Sequence, residues 1–213
     1  MNARIRQLVA GMAAPAILLG SVSCGNVART GRSPSFLVID KLEAAAGSAP
    51  GKVGVPLSSD VETFVTRQVN GVDVRVPTFY NDLGIVTMRT LLKDAGNPGA
   101  ETNPSSINAI TVSRYHVAFV RSDGRNVQGV DIPYAFDGAS TATITTAAST
   151  VAFELVRSNA KEEAPLRALV GGGGRIIIAA IANVTFYGRD LAGNDVQATA
   201  SISVNFADFG DPS

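Results

Sequence analysis

From residue 195 to 206 apolar and polar side chains alternate almost without interruption. Val196, Ala198, Ala200, Ile202, Val204 and Phe206 fall on one side, and Gln197, Thr199, Ser201, Ser203 and Asn205 on the other. A period of two predicts a strand with one dry face and one wet face. Just before it, residues 176–187 are rich in β-branched and aromatic side chains, and the run from Gly188 to Asp195 is a cluster of turn formers. Two strands and a short reversal predict an antiparallel hairpin.

The same reading extends along the chain. Residues 35–42 predict a first strand, apolar enough to lie inside the sheet sandwich rather than at its margin, and residues 47–59, with Pro50, Gly51, Gly54 and Pro56, a long loop. Asn70-Gly71, set between alternating residues over 65–76, predicts a tight hairpin because both positions tolerate positive φ. A strand over 84–92 follows, then a polar loop over 93–106. Residues 107–121 predict a long strand with Tyr115, Val117 and Phe119 on one side, turned by Asp123-Gly124. Residues 127–136 predict a returning strand placed at an edge by Pro133, and 141–157 a further strand carrying Val151, Phe153 and Leu155. Residues 158–170 predict the one helix, of two or three turns, with Pro165 in its first turn and Gly171 to Gly174 ending it.

The sum is seven to nine strands, one short helix and no strand–helix alternation of the kind that builds parallel sheets, which predicts an all-β antiparallel sandwich. The run Val184-Thr185-Phe186-Tyr187-Gly188-Arg189-Asp190-Leu191-Ala192-Gly193-Asn194, followed by a long alternating strand, resembles the closing hairpin of bacterial immunoglobulin-like domains, where a D-x-x-G-N turn joins the last two strands. The resemblance implies an antiparallel immunoglobulin-like β-sandwich with long loops and one short helix. Such a domain needs only about 100 residues, so the surplus forms long loops, extra hairpins or a second small domain. One enlarged domain over 35–213 is preferred, because no linker divides the chain into halves with full strand sets.

The amino terminus is different in kind. Arg4 and Arg6 precede a mostly apolar stretch over 8–20 and the small residues Gly20-Ser21-Val22-Ser23, which predicts a secretory signal over 1–23. Cys24, the only cysteine, stands where bacterial lipoprotein signals place the residue lipidated after cleavage; the resemblance rests on Val22-Ser23-Cys24-Gly25 after Leu18 and Leu19, and departs from the pattern at Ser21. Ordinary signal cleavage is the alternative. Residues 24–34 read as a tether. With 46% hydrophobic residues, 17% charged and zero net charge, the chain can bury a large core, and no basic surplus favours nucleic acid. Lacking a second cysteine, the exported domain stands without disulfides.

Candidate chemistry is sparse. His116 is the only histidine and reads as structural or solvated; the chain has no Gly-x-Ser-x-Gly turn to present a nucleophilic serine beside it. Gly171 to Gly174 lack the Lys-Ser/Thr of a phosphate cradle and precede a strand, so they read as a helix exit. Glu162 and Glu163, adjacent on a helix, point about 100° apart and cannot converge on one substrate. Asp190, Asn194 and Asp195 gather three oxygen-bearing side chains in one turn, the kind calcium binds, but their spacing does not fit the twelve-residue calcium loop and they read first as a turn bonded by its own side chains. Asn183-Val184-Thr185 matches a glycosylation sequon but lies mid-strand. There is no Trp, and Tyr80, Tyr115, Tyr134 and Tyr187 are dispersed, so no stacking platform for sugars is apparent.

These observations imply a non-catalytic exported protein of the bacterial envelope with no cofactor. It is held to the membrane through Cys24, with Gly25 in place of an aspartate leaning toward the outer membrane by resemblance to sorted lipoproteins. It acts as a structural or protein-interaction module, with envelope proteins as partners. The alternative is a periplasmic or surface binding protein for a small apolar ligand or glycan. The loops over 93–106 and 47–59 are the first places to seek binding, and the Asp190–Asp195 turn the second.

Overall fold

Alternation becomes pleat wherever one side of a strand can be kept dry, and the computed structural model, which describes residues 31–94, 96, 97 and 99–210, follows that rule along most of its length. The chain runs through β1 (Ser35–Ala45), β2 (Val53–Gly54), β3 (Leu57–Asp60), the hairpin β4 (Thr63–Val69) and β5 (Val72–Thr78), and β6 (Asp82–Leu92). A small hairpin of β7 (Gly96–Asn97) and β8 (Ala100–Glu101) leads to β9 (Ile110–Arg121), β10 (Phe136–Ile144) and β11 (Ser149–Val156). A helical turn, α1 (Ser158–Glu162), and a 3-10 turn (Leu166–Leu169) precede the closing hairpin, β12 (Ile178–Asp190) and β13 (Asp195–Ala207).

Two sheets carry the fold, one ordered β11-β6-β1-β2 and the other β10-β9-β12-β13-β3. Their ladders are antiparallel except between β13 and β3, which run in parallel from Val204↔Leu57 to Ala207↔Asp60. The inner faces close on one core containing Val86, Met88 and Phe153 from the first sheet and Val117, Phe186, Ile202 and Phe206 from the second. The molecule is therefore an all-β sandwich with one short α-helix. Phe153 is the hinge of the core's aromatic cluster: its ring lies edge-on to Tyr115 at 5.0 Å and to Phe186 at 5.2 Å between centroids. That close stacking requires glycine beneath the rings, because a Cβ on Gly84 would lie 2.3 Å from the Phe153 ring and one on Gly138 2.1 Å from Tyr115.

The closing hairpin matches its alternation, and Asn70 and Gly71, with φ of 52° and 78°, make the tight turn of the β4–β5 hairpin. β1 stands between β6 and β2 in its sheet, paired with β6 along its length and with β2 at Ala44 and Ala45. Other expectations need correction. Residues 127–135 are an irregular turn carrying a single Gln128↔Ile132 bridge; the strand lies later, at β10. The stretch 141–157 is two strands in opposite sheets, reversed at Thr145-Thr146-Ala147-Ala148, which contains neither Gly, Pro nor Asn to signal a turn. The helix over 158–170 breaks at Pro165, which cannot continue the helical bonding, leaving one turn on each side. The described residues contain thirteen strands, above the expected seven to nine, because short ladders form inside the loops over 47–59 and 93–106.

Candidate functional site

Beneath α1 lies a buried polar centre. Asp82 opens β6 with its carboxylate turned inward: Oδ1 accepts the Gly47 N–H at 2.8 Å and the Lys161 Nζ at 2.8 Å, and Oδ2 accepts the Ser59 hydroxyl at 2.5 Å. Lys161 and Asp82 are 1% and 0% exposed, so the pair is sealed from solvent. Gly47 is needed for its approach, since a Cβ there would meet the Asn81 carbonyl at 2.2 Å. Neighbouring Asn81 accepts the Ser158 N–H at 2.6 Å and so satisfies the first free donor of α1. Asp60, next to Ser59, accepts from the Thr63 hydroxyl at 2.7 Å and the Phe209 N–H at 3.0 Å. Burial holds its carboxyl above the usual range, against the opposing pull of these hydrogen bonds and of the Lys161 charge.

This centre escaped the sequence reading. Lys161 beside Glu162 and Glu163 reads as part of a solvated turn, and nothing local to Asp82 marks it as the mate of a residue 79 positions away. No spacing within a single sequence could have joined them.

The residues singled out earlier are dispersed. His116 sits on the outer face of β9 with Nδ1 3.3 Å from Asp137, whose carboxylate also faces Arg114. Asp190 turns inward and accepts both the backbone and side-chain N–H groups of Asn194 at 2.8 Å. Burial would raise its carboxyl, but those bonds and others from Ser33 and Ala192 outweigh it and hold Asp190 below the usual range. Asp195 lies on the other face, paired with Arg189 at 2.9 Å. Asp190 and Asp195 thus do not converge on a point. Among the described residues no three His, Cys, Asp or Glu side chains form a group that could hold a metal ion. Glu162 and Glu163 are exposed, and the Gly171 to Gly174 run leaves the 3-10 turn with positive φ at Gly171, Gly173 and Gly174. Cys24 and most of the 24–34 tether lie outside the described residues.

Two surface concavities accompany the centre. One, of about 690 Å³, lies on the wet face of β9, β12 and β13, where Arg114 stacks on Tyr187 at 4.1 Å and the Arg189–Asp195 pair forms a wall. The other, of about 680 Å³, is lined by the 47–59 loop, including Val53, Val55, Pro56 and Leu57, together with Phe209. Within the stretch 93–106, Asp94 accepts from the Gly96 N–H and the Thr102 hydroxyl. Tyr115 is buried and its hydroxyl accepts the Glu154 N–H at 3.2 Å, whereas Tyr134 is exposed. Among the described residues no helix is long and apolar enough to cross a membrane. No family model, curated protein or solved structure matches the chain.

Proposed function

We propose that the chain is an exported, non-catalytic envelope protein, held to a membrane by a lipid on Cys24, whose immunoglobulin-like sandwich acts in protein interaction. The observation that carries this reading is the β4–β5 arm. It belongs to neither sheet, Val69, Val72 and Val74 are exposed on it, and among the described residues its two strands hydrogen-bond in ladders only to each other. A lone hairpin is marginal in water, and an open strand edge readily accepts an added strand. The fitting partner is an extended segment of another envelope protein. Strand order supports the immunoglobulin-like assignment: β1, β6 and β11 stand as A, B and E of that fold, and β9, β12 and β13 as C, F and G. The chain departs from it by inserting the arm before the B-like strand and α1 before the F-like one.

Two measurements test the proposal in intact cells. Metabolic labelling with a fatty acid is expected to mark the full chain and to fail on Cys24→Ala; an unlabelled wild type that keeps its leader would overturn the anchor. A photo-crosslinking residue in place of Val72 is expected to capture an envelope protein, with the same residue at Thr199 on the sandwich as the comparison. Equal capture from both positions, or none from the arm, would overturn its role.

A second reading is favoured by the concavity at the 47–59 loop, whose valines, Pro56 and Leu57 suit a small apolar ligand in a periplasmic or surface binding protein. Protection of Val53 and Val55 resonances by added fatty acid or sterol, without effect on the arm, would favour this reading.

A further inference from the structure

We propose that Lys161 and Asp82 condense into an intramolecular amide that staples the α1 turn to the start of β6. This inference concerns the interior of the sandwich and stands apart from the export reading.

Several observations converge on that pair. Lys161 Nζ lies 2.8 Å from Asp82 Oδ1 with both side chains sealed from solvent. An ammonium offers three donors, yet among the described residues Asp82 supplies the only hydrogen-bond acceptor for the Lys161 ammonium. Charges withdrawn from water are costly to keep, and condensation removes both at once. Asp82 is also clamped and polarised from two other directions, by the Gly47 N–H on Oδ1 and the Ser59 hydroxyl on Oδ2.

The step balances without a co-reactant. The Lys161 ammonium gives a proton to the Asp82 carboxylate along their 2.8 Å contact, and the freed amine lone pair forms the Nζ–Cγ bond of Asp82. The Cγ–Oδ2 bond breaks, and Oδ2 departs as water with two hydrogens that originate on the ammonium and reach it through the Asp82 carboxyl and the Ser59 hydroxyl bonded to Oδ2. Oδ1 remains as the amide oxygen on the Gly47 N–H. One ammonium and one carboxylate become one neutral amide and one water.

Trypsin digestion of the full, unfolded chain reads this directly. The amide makes Lys161 unrecognisable to trypsin and joins the peptide 76–89 to the peptide 158–167 in one branched species, lighter than the two together by one water, about 18 Da. Cleavage after Lys161 with a free 76–89 peptide, and no branched species, would overturn the amide. In Ser59→Ala, checked for native folding by circular dichroism, branched peptide is expected to form about a hundredfold more slowly. Formation at the wild-type rate would overturn the proton-carrying role of Ser59.

Discussion

Two rings of the core rest on glycines, and this makes single methyl groups expensive there. A Cβ at Gly84 would stand 2.3 Å from the Phe153 ring, which is held between Tyr115 and Phe186 and has nowhere to retreat. Gly84→Ala is expected to cost about 1–3 kcal/mol in urea unfolding, the usual penalty of overpacking. Asp190 offers a different lesson. Its carboxylate, satisfied by Asn194, is favoured in the folded state, so its contribution is complete above its ordinary value of 3.8 and fades as pH falls through the depressed folded value. Asp190→Ala is expected to lose about 1–3 kcal/mol at pH 7, and the deficit against wild type should shrink in acid. The local role of Asp190 and Asn194 was legible from the turn residues alone. Lys161 was not, because burial of a lysine is decided by which distant segment covers it.

At the scale of elements, alternation is readable wherever a strand has one wet side, which is why β12, β13 and the β4–β5 turn follow from the residues. Two features blurred the rest. In β9 the pairing with β12 skips Ser113, a bulge that lets Ile110 and Val112 face inward together with Tyr115 and Val117 despite their differing parity. In β10 the residues are small, and its reversal into β11 lacks a turn former, so neither announces itself. The β4–β5 arm has its own ladder, so its stability can be varied alone. Gly71→Ala, forced to keep a φ near 78°, is expected to weaken the arm by about 1 kcal/mol. Hydrogen exchange should then accelerate roughly fivefold over residues 63–78, with the global unfolding midpoint unmoved.

For the whole molecule, the core and the arm answer to different physics. Phe186 is fully buried at the meeting of the two sheets, and Phe186→Ala is expected to cost about 3–5 kcal/mol. Val72→Asp, on the exposed arm, should stay within about 0.5 kcal/mol of wild type in the same assay. Equal losses would mean that the arm is part of the core after all. The all-β class and the antiparallel majority of pairings were visible in the chain's periodicity. The β3–β13 pairing was not, since a parallel ladder between positions so far apart leaves no local trace.

That pairing has a mechanical corollary. Tension drawn between the amino-terminal side and the carboxy-terminal end grips β3 at its beginning and β13 at its finish, and drags the two past each other. The load spreads across every rung of the joint at once, as in a lap joint, instead of parting the rungs one after another. Ser58→Pro, which disrupts a rung, should therefore lower the rupture force in single-molecule pulling, whereas an unchanged force would place the resisting seam elsewhere.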